Sequence, residues 1–357
     1  MMNIKRLDKV IENMKRHQLE QMIISNPASI FYLTGKWIEA GERMLVLYIN
    51  AKGQCKLIIN ELFPLDDQPY LEKIIYNDRE DAVKILASLV EDKKLGIDKV
   101  WPSHFLIRLM ELKHGITFVN GSPIMDEVRM IKDAEEIKLM KEASAINDKV
   151  MAEAIEVVKQ GYEEKKVCKL LADIYEKYKT YSFSFYPLIA YGANAAEPHH
   201  SSDSTMVKDG DSIILDIGGF TNGYCSDMTR TVFYRKVSDE AEKVYNLVLE
   251  ANRKGIEAVK PGVKLSDIDK AARDVIENAG YGKYFTHRTG HNIGVEVHEF
   301  PDVSSVSHLE AKPGMIFSIE PGIYLPGKLG VRIEDLVLVT ETGCEVLNAY
   351  PKELQII

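Results

Sequence analysis

Ile4, Leu7, Val10, Ile11 and Met14 recur at three- and four-residue steps, which predicts an amphipathic helix near the start of the chain. The short apolar run Met22-Ile23-Ile24, closed by Ser25-Asn26-Pro27, and the denser run from Met44 to Ile49 predict strands. Leu57 to Ile59 and Leu95 to Ile97 read as further strands, with a helix over Asp81 to Val90 between them. This alternation is that of an α/β unit. Gly121-Ser122-Pro123 interrupts it, and Asp133 then opens a new helix with Glu136 at capping-box spacing. The boundary is expected near residue 127, giving domains 1–127 and 128–357. In the helix beyond it, Ile137, Met140, Ala143, Val150, Ala154 and Val157 keep a helical stripe, and Gly161 stands where a left-handed C-cap belongs. Helix, strands, helices and strands follow.

The second domain carries a diverged duplication. Ala154-Ile-Glu-Val-Val-Lys-Gln-Gly161 matches Gly255-Ile-Glu-Ala-Val-Lys-Pro-Gly262 at Ile, Glu, the second Val, Lys and Gly, at a constant offset of 101 residues. Lys208, Gly210, Asp216 and Gly218 align with Lys312, Gly314, Glu320 and Gly322 at an offset of 104. Asp216 and Glu320 therefore occupy equivalent positions. Two copies make a pseudo-twofold domain rather than a solenoid.

That equivalence points to chemistry. Ile213-Ile-Leu-Asp216 is an apolar strand ending on a carboxylate, and Asp227 follows a Gly-containing turn. In the second half Ile316-Phe-Ser-Ile-Glu320 and Val331-Arg-Ile-Glu334 repeat the arrangement. Four carboxylates on apolar strand pairs would face one another across the pseudo-twofold axis. Bringing them together costs several kcal/mol per charge unless something compensates. Two divalent cations balance four acids, and His291, flanked by glycines, can complete a coordination sphere without altering that balance. An oxygen-rich pair with one nitrogen ligand suits Mn, Co, Zn or Fe. Two such ions about 3.5–4 Å apart activate water and polarise a carbonyl, the chemistry of amide hydrolysis. His199 and His298 are placed to donate hydrogen bonds to substrate. Singly, each of these residues has a plainer reading: an Asp at a strand end caps a turn, a His sits hydrogen-bonded in a core, and Arg332 pairs with a neighbouring carboxylate. Acids at matched repeat positions, together with the Gly-flanked His, favour the metal reading.

Composition narrows the partners. The formal charge is -9, from 54 acidic and 45 basic residues without a like-charge tail, which argues against nucleic acid and anionic membrane. Cys55, Cys168, Cys225 and Cys344 are scattered and read as reduced thiols. The first fifteen residues mix charges among apolar positions where a secretory signal needs an unbroken apolar core, and no stretch reaches membrane-span length. The expected location is cytoplasmic.

Taken together, Ile214-Leu-Asp216-Ile-Gly, Ser226-Asp227-Met-Thr-Arg-Thr, Thr289-Gly-His291 with Val297-His298-Glu, Ser318-Ile-Glu320-Pro-Gly-Ile-Tyr324 and Val331-Arg332-Ile-Glu334-Asp335 resemble the pita-bread metallopeptidases. That family includes proline dipeptidases, aminopeptidase P, methionine aminopeptidase and creatinase. The resemblance spans essentially the whole chain. It implies an α/β creatinase/prolidase-like N-terminal domain, followed by an α+β pita-bread domain with internal duplication. It also implies a dinuclear centre ligated by Asp216, Asp227, His291, Glu320 and Glu334, with Asp227 and Glu334 bridging. Mn or Co is the expected pair, with Zn or Fe as alternatives. Glu320 doubles as proton acceptor, and His199 and His298 contact substrate. The segment Ile24-Ser-Asn-Pro-Ala-Ser-Ile-Phe-Tyr-Leu-Thr-Gly35 is most similar to bacterial Xaa-Pro dipeptidases, so a proline-containing dipeptide is the expected substrate and a homodimer the expected assembly. Asn292 stands where Gly often follows the ligand His. Asp302 stands where some proline dipeptidases have an Arg that holds the substrate's C-terminal carboxylate, which leaves His199 or Arg332 to recognise that group. The alternatives are aminopeptidase P acting on longer Xaa-Pro peptides, and a relative that binds peptides without hydrolysing them.

Overall fold

The apolar runs of the first 129 residues pair into one six-stranded mixed sheet in the computed structural model, which describes residues 1–357. Its strand order is Glu72–Tyr76, Cys55–Asn60, Val46–Asn50, Gln21–Ile24, Leu95–Ile97 and Phe118–Asn120. Every residue of the Gln21–Ile24 strand is buried, as befits a strand covered on both faces. Its end is fixed by the buried Asp98 carboxylate, which accepts from Ser25 N at 2.6 Å and Asn26 N at 2.8 Å. Ser25-Asn26-Pro27 does more than close this strand. Asn26 caps the helix Pro27–Thr34 by accepting from Ser29 N at 3.1 Å, and Pro27 supplies a preset first turn.

The second unit, Met130–Ile357, shows the duplication in space. The helix Ala134–Val158 opens with the expected capping box: Asp133 Oδ1 accepts from Glu136 N at 3.0 Å and Glu136 Oε2 from Asp133 N at 3.0 Å. Gly161, at φ +72°, turns the chain into the helix Glu164–Lys177. In the second half Asp239–Ala258 is followed by Gly262, at φ +83°, and Leu265–Asn278. Both glycines hold left-handed backbone that a side chain disfavours.

Strands follow in each half. Met228–Phe233, Ser212–Ile217 and Leu188–Tyr191 form an antiparallel sheet in which Asp216 lies opposite Thr229. Glu299–Val303, Gly290–Asn292, Ile316–Ile319, Asp335–Val339 and Cys344–Val346 form another. There Ile319 lies opposite Asp335, so Glu320 and Glu334 sit one step beyond the ladder. The Leu329–Arg332 strand and its extension join the halves: Arg332 N donates to Thr231 Oγ1 at 3.1 Å and Glu334 N to Thr229 O at 3.1 Å. Each long helix also sends a buried amide to an acid-bearing strand. Asn147 Nδ2 reaches Ile217 O at 2.9 Å and Asn252 Nδ2 reaches Ile319 O at 2.9 Å. Apolar side chains of helices and sheets fill the space between, including Val150, Leu171 and Leu215 in the first half and Val248, Ala272 and Val331 in the second. The four cysteines are free thiols, and no helix is long and apolar enough to cross a membrane.

Candidate metal centre

His291 is placed by its neighbours. A Cβ at Gly290 would lie 1.8 Å from Ser318 O, so only glycine lets this strand approach so closely, and His291 N donates to Ser318 Oγ at 3.0 Å. Nδ1 lies 3.1 Å from Asn292 O; a proton there makes it the donor and leaves Nε2 as the free nitrogen. Nε2 faces Asp227 Oδ2 at 3.6 Å and Glu320 Oε1 at 3.5 Å. One ligand atom from each of Asp227, His291 and Glu334 lies within 4.8 Å of the other two. Glu334 Oε2 accepts from Thr229 Oγ1 at 2.7 Å and Asp216 Oδ2 from Arg332 Nη2 at 2.6 Å. Asp216 Oδ1 and Asp227 Oδ1 are buried without a hydrogen-bond partner.

Such crowding perturbs Asp227, Glu334, Glu320 and His291. Burial, reinforced by Glu334, Asp216 and Glu320, holds the Asp227 carboxyl well above the usual carboxylate range. Burial, with Glu320 and Asp216 close by, does the same for Glu334. Glu320 is pushed up to about 7, chiefly by burial, with Arg332 partly offsetting it and Asp216 adding to it. Burial drives His291 down to about 3 and keeps its imidazole neutral. Orphaned carboxylate oxygens, acids resisting ionisation and a neutral imidazole turned towards two of them fit a pair of divalent cations. Arg332 changes the expected charge balance. It brings a further positive charge into a group of four acids and two divalent ions that would otherwise be neutral.

All eight residues singled out from sequence line one cavity of about 590 Å³: Asp216, Asp227, His291, Glu320, Glu334, His199, His298 and Arg332. The His298 ring packs edge-on against His291, with centroids 4.3 Å apart. Of the two readings open for Arg332, the structure shows the pairing. Its Nη2 donates to Asp216, Nη1 to Tyr324 Oη at 2.9 Å and Nε to Thr229 Oγ1 at 3.1 Å. Each guanidinium nitrogen thus makes one hydrogen bond within the site.

Other residues of the site escaped the sequence reading. His287 Nε2 lies 2.8 Å from Tyr324 Oη and its Nδ1 lies 2.7 Å from Arg288 O, while burial lowers its pKa to about 4. The hydrogen bonds therefore run from Asp216 through Arg332, Tyr324 and His287 to the backbone of Arg288. The pair His287-Arg288 directly precedes the Thr-Gly-His291 motif, which was the available signal. Glu164 gave none. Its fully buried carboxylate accepts from Tyr191 N at 2.8 Å, Asn194 Nδ2 at 2.9 Å and Asp203 N at 3.0 Å, and meets His200 Nε2 at 2.8 Å, so it fixes the loop bearing His199. Glu164, His200 and Asp203 also lie close enough to hold an ion, but those contacts already occupy the Glu164 oxygens. Phe185, Tyr186, Pro187 and Leu188 give the cavity an apolar side.

A sequence model of metallopeptidase family M24 matches residues 138–341, and one of the creatinase/prolidase N-terminal domain matches residues 6–131. An uncharacterized peptidase of Staphylococcus haemolyticus is 37% identical over 356 residues, covering 97% of this chain and 99% of that one. Among solved structures, a prolidase from Thermococcus sibiricus superposes with a TM-score of 0.93 at 33% identity, covering 100% of both chains. An Xaa-Pro dipeptidase from Bacillus anthracis superposes with a TM-score of 0.90 at 31% identity, covering 99% of both.

Proposed function

The chain belongs to metallopeptidase family M24, with a creatinase-type N-terminal domain ahead of a pita-bread catalytic domain, and from that premise we propose that it hydrolyses Xaa-Pro dipeptides. The observation that carries this reading is the convergence of Asp216, Asp227, His291, Glu320 and Glu334 on one cavity with two buried carboxylate oxygens left unpartnered. These five residues would hold two divalent ions, with Mn or Co the expected pair. When bound, such ions activate a water and polarise the carbonyl before proline.

The remaining work falls to side chains. Glu320 accepts the proton of the attacking water and passes it to the leaving imino nitrogen. His298, whose pKa burial lowers, and His199 donate to the substrate carbonyl as charge develops on it. Arg332 orients Asp216. The apolar side formed by Phe185, Tyr186 and Pro187 suits the proline ring and the side chain before it. The same reading includes a cytoplasmic homodimer; sedimentation showing only monomer at micromolar concentration would contradict the assembly.

Stripping the protein with a chelator and reloading it with Mn, Co, Zn or Fe, then measuring proline release from Xaa-Pro dipeptides and tripeptides, tests the reading. Restored dipeptide hydrolysis supports it, and Glu320→Gln is expected to lower kcat by roughly 10²–10⁴-fold. Full metal-dependent turnover by that variant would remove Glu320 from its role. Asp302 motivates a second reading, aminopeptidase P, for which Ala-Pro-Ala would be turned over at least as well as Ala-Pro. Peptide binding without any uptake of transition metal would favour a non-catalytic relative.

A further inference from the structure

We propose that Arg288 is the specificity-determining residue that recognises the free carboxylate of the substrate, which makes the protein a dipeptidase rather than a trimmer of longer peptides. The inference rests on the reading above and names the group that selects its substrate.

Two arginines and no lysine line the cavity. Arg332 is only 4% exposed, pairs with Asp216 and bonds Tyr324 and Thr229, so its charge is already matched and its three nitrogens are each tied within the site. Arg288 is 34% exposed, and its one hydrogen bond joins Nη1 to Asp302 Oδ1 at 2.6 Å. Nη2 and Nε remain available to a ligand. A carboxylate entering a cavity lined by Asp216, Asp227, Glu320 and Glu334 needs a cation of its own, and Arg288 is the lining group that can supply it with paired N–H donors.

Its position is fixed from both sides. Its carbonyl accepts from His287 Nδ1, at the end of the chain of hydrogen bonds that starts at Asp216. Its side chain is held by Asp302, and the strand register sets Asp302 directly opposite His291. The guanidinium is therefore tethered beside the centre without being neutralised within a buried pair, since Asp302 is 45% exposed. Its charge also reaches the centre: it helps lower His298 and His291 and restrains the rise of Glu320. A dipeptide places its carboxylate one residue beyond the scissile bond. In Ala-Pro-Ala or Ala-Pro amide, a neutral amide stands in that place.

The test compares Ala-Pro, Ala-Pro amide and Ala-Pro-Ala with the metal-loaded wild type, Arg288→Met and Arg288→Lys. Calorimetric titration of L-proline and L-prolinamide gives a second readout, independent of turnover. The wild type should prefer Ala-Pro by about 10- to 150-fold in kcat/KM, the range of a charge-assisted hydrogen bond. Arg288→Met should raise KM for Ala-Pro by a similar factor, erase the preference and weaken L-proline binding. Arg288→Lys should retain part of both. Equal wild-type rates on acid and amide, or an unchanged preference in a folded Arg288→Met, would overturn the assignment while leaving the peptidase reading intact. No hydrolysis of any Xaa-Pro substrate by the loaded wild type would instead overturn that reading.

Discussion

Loading the centre with metal should expel protons, and their source is the carboxyls that crowd it. Without cations, burial and their acidic neighbours hold the Asp227 and Glu334 carboxyls well above the usual carboxylate range, and Glu320 is pushed up to about 7. Ligation needs carboxylates, so filling the site at pH 7 should release protons from these raised carboxyls, Glu320 among them. The overall binding constant should then strengthen as pH rises through this range. The sign also holds for stability. A carboxyl whose folded pKa is raised favours the cation-free fold at low pH, and that contribution is lost as pH rises through its folded value, near 7 for Glu320. Metal protection should therefore be larger at pH 8 than at pH 6. At free metal about 100-fold above Kd the gain is about 2.7 kcal/mol. For a unit of this size that is a Tm increase of roughly 5–11 °C. Calorimetry in two buffers of different ionisation enthalpy counts the protons, and thermal scans with and without chelator give the shift. Binding without proton release, with equal protection at both pH values, would refute the account of a site built from ionisation-resistant acids.

Three further outcomes are expected. Gly290→Ala puts a methyl group 1.8 Å from Ser318 O, so it should cost about 3 kcal/mol or more and displace His291; urea unfolding and bound-metal analysis would detect both effects. Thr229→Val removes the hydroxyl between Arg332 Nε and Glu334 Oε2 and should weaken metal binding by roughly 10–100-fold in chelator competition. Asp335 is fully buried, yet Arg230 at 2.8 Å and Lys352 at 2.5 Å outweigh the burial and hold its carboxyl below the usual range. Its contribution is present above the unfolded pKa near 3.8 and fades as pH falls through the lower folded value. Asp335→Asn should therefore cost about 3–5 kcal/mol near neutrality and blunt the acid limb of unfolding below pH 4, as followed by circular dichroism.

The parts of this molecule legible in sequence were those set by local pattern or by repetition. Asp133 and Glu136 announce their helix because a capping box needs only neighbours, and the offset joining Asp216 to Glu320 marks equivalent strand positions before any fold is known. The helix Pro27–Thr34 was hidden because Asn-Pro closes a strand and opens a helix with the same residues. The helix Ser103–Leu112 and the short strand Phe118–Asn120 had too little periodicity to stand out. Arg332 was ambiguous for a different reason. Whether it meets Asp216, 116 positions away, is decided by the docking of the two halves and not by either local sequence. Glu164 was illegible altogether, since a buried acid that fastens a loop carries no spacing signature.

Because the centre draws its acids from both halves, its assembly has an order in time. During synthesis Asp216 and Asp227 leave the ribosome well before their counterparts; Glu334 lies 107 positions after Asp227. Until Arg332 and Glu334 emerge, the nascent chain has acids without their guanidinium and an incomplete cradle for cations. Proteolytic competence is thereby withheld until Arg332 and Glu334 are in place, and a stalled or clipped product ending before residue 332 would be an inert by-product rather than a stray protease.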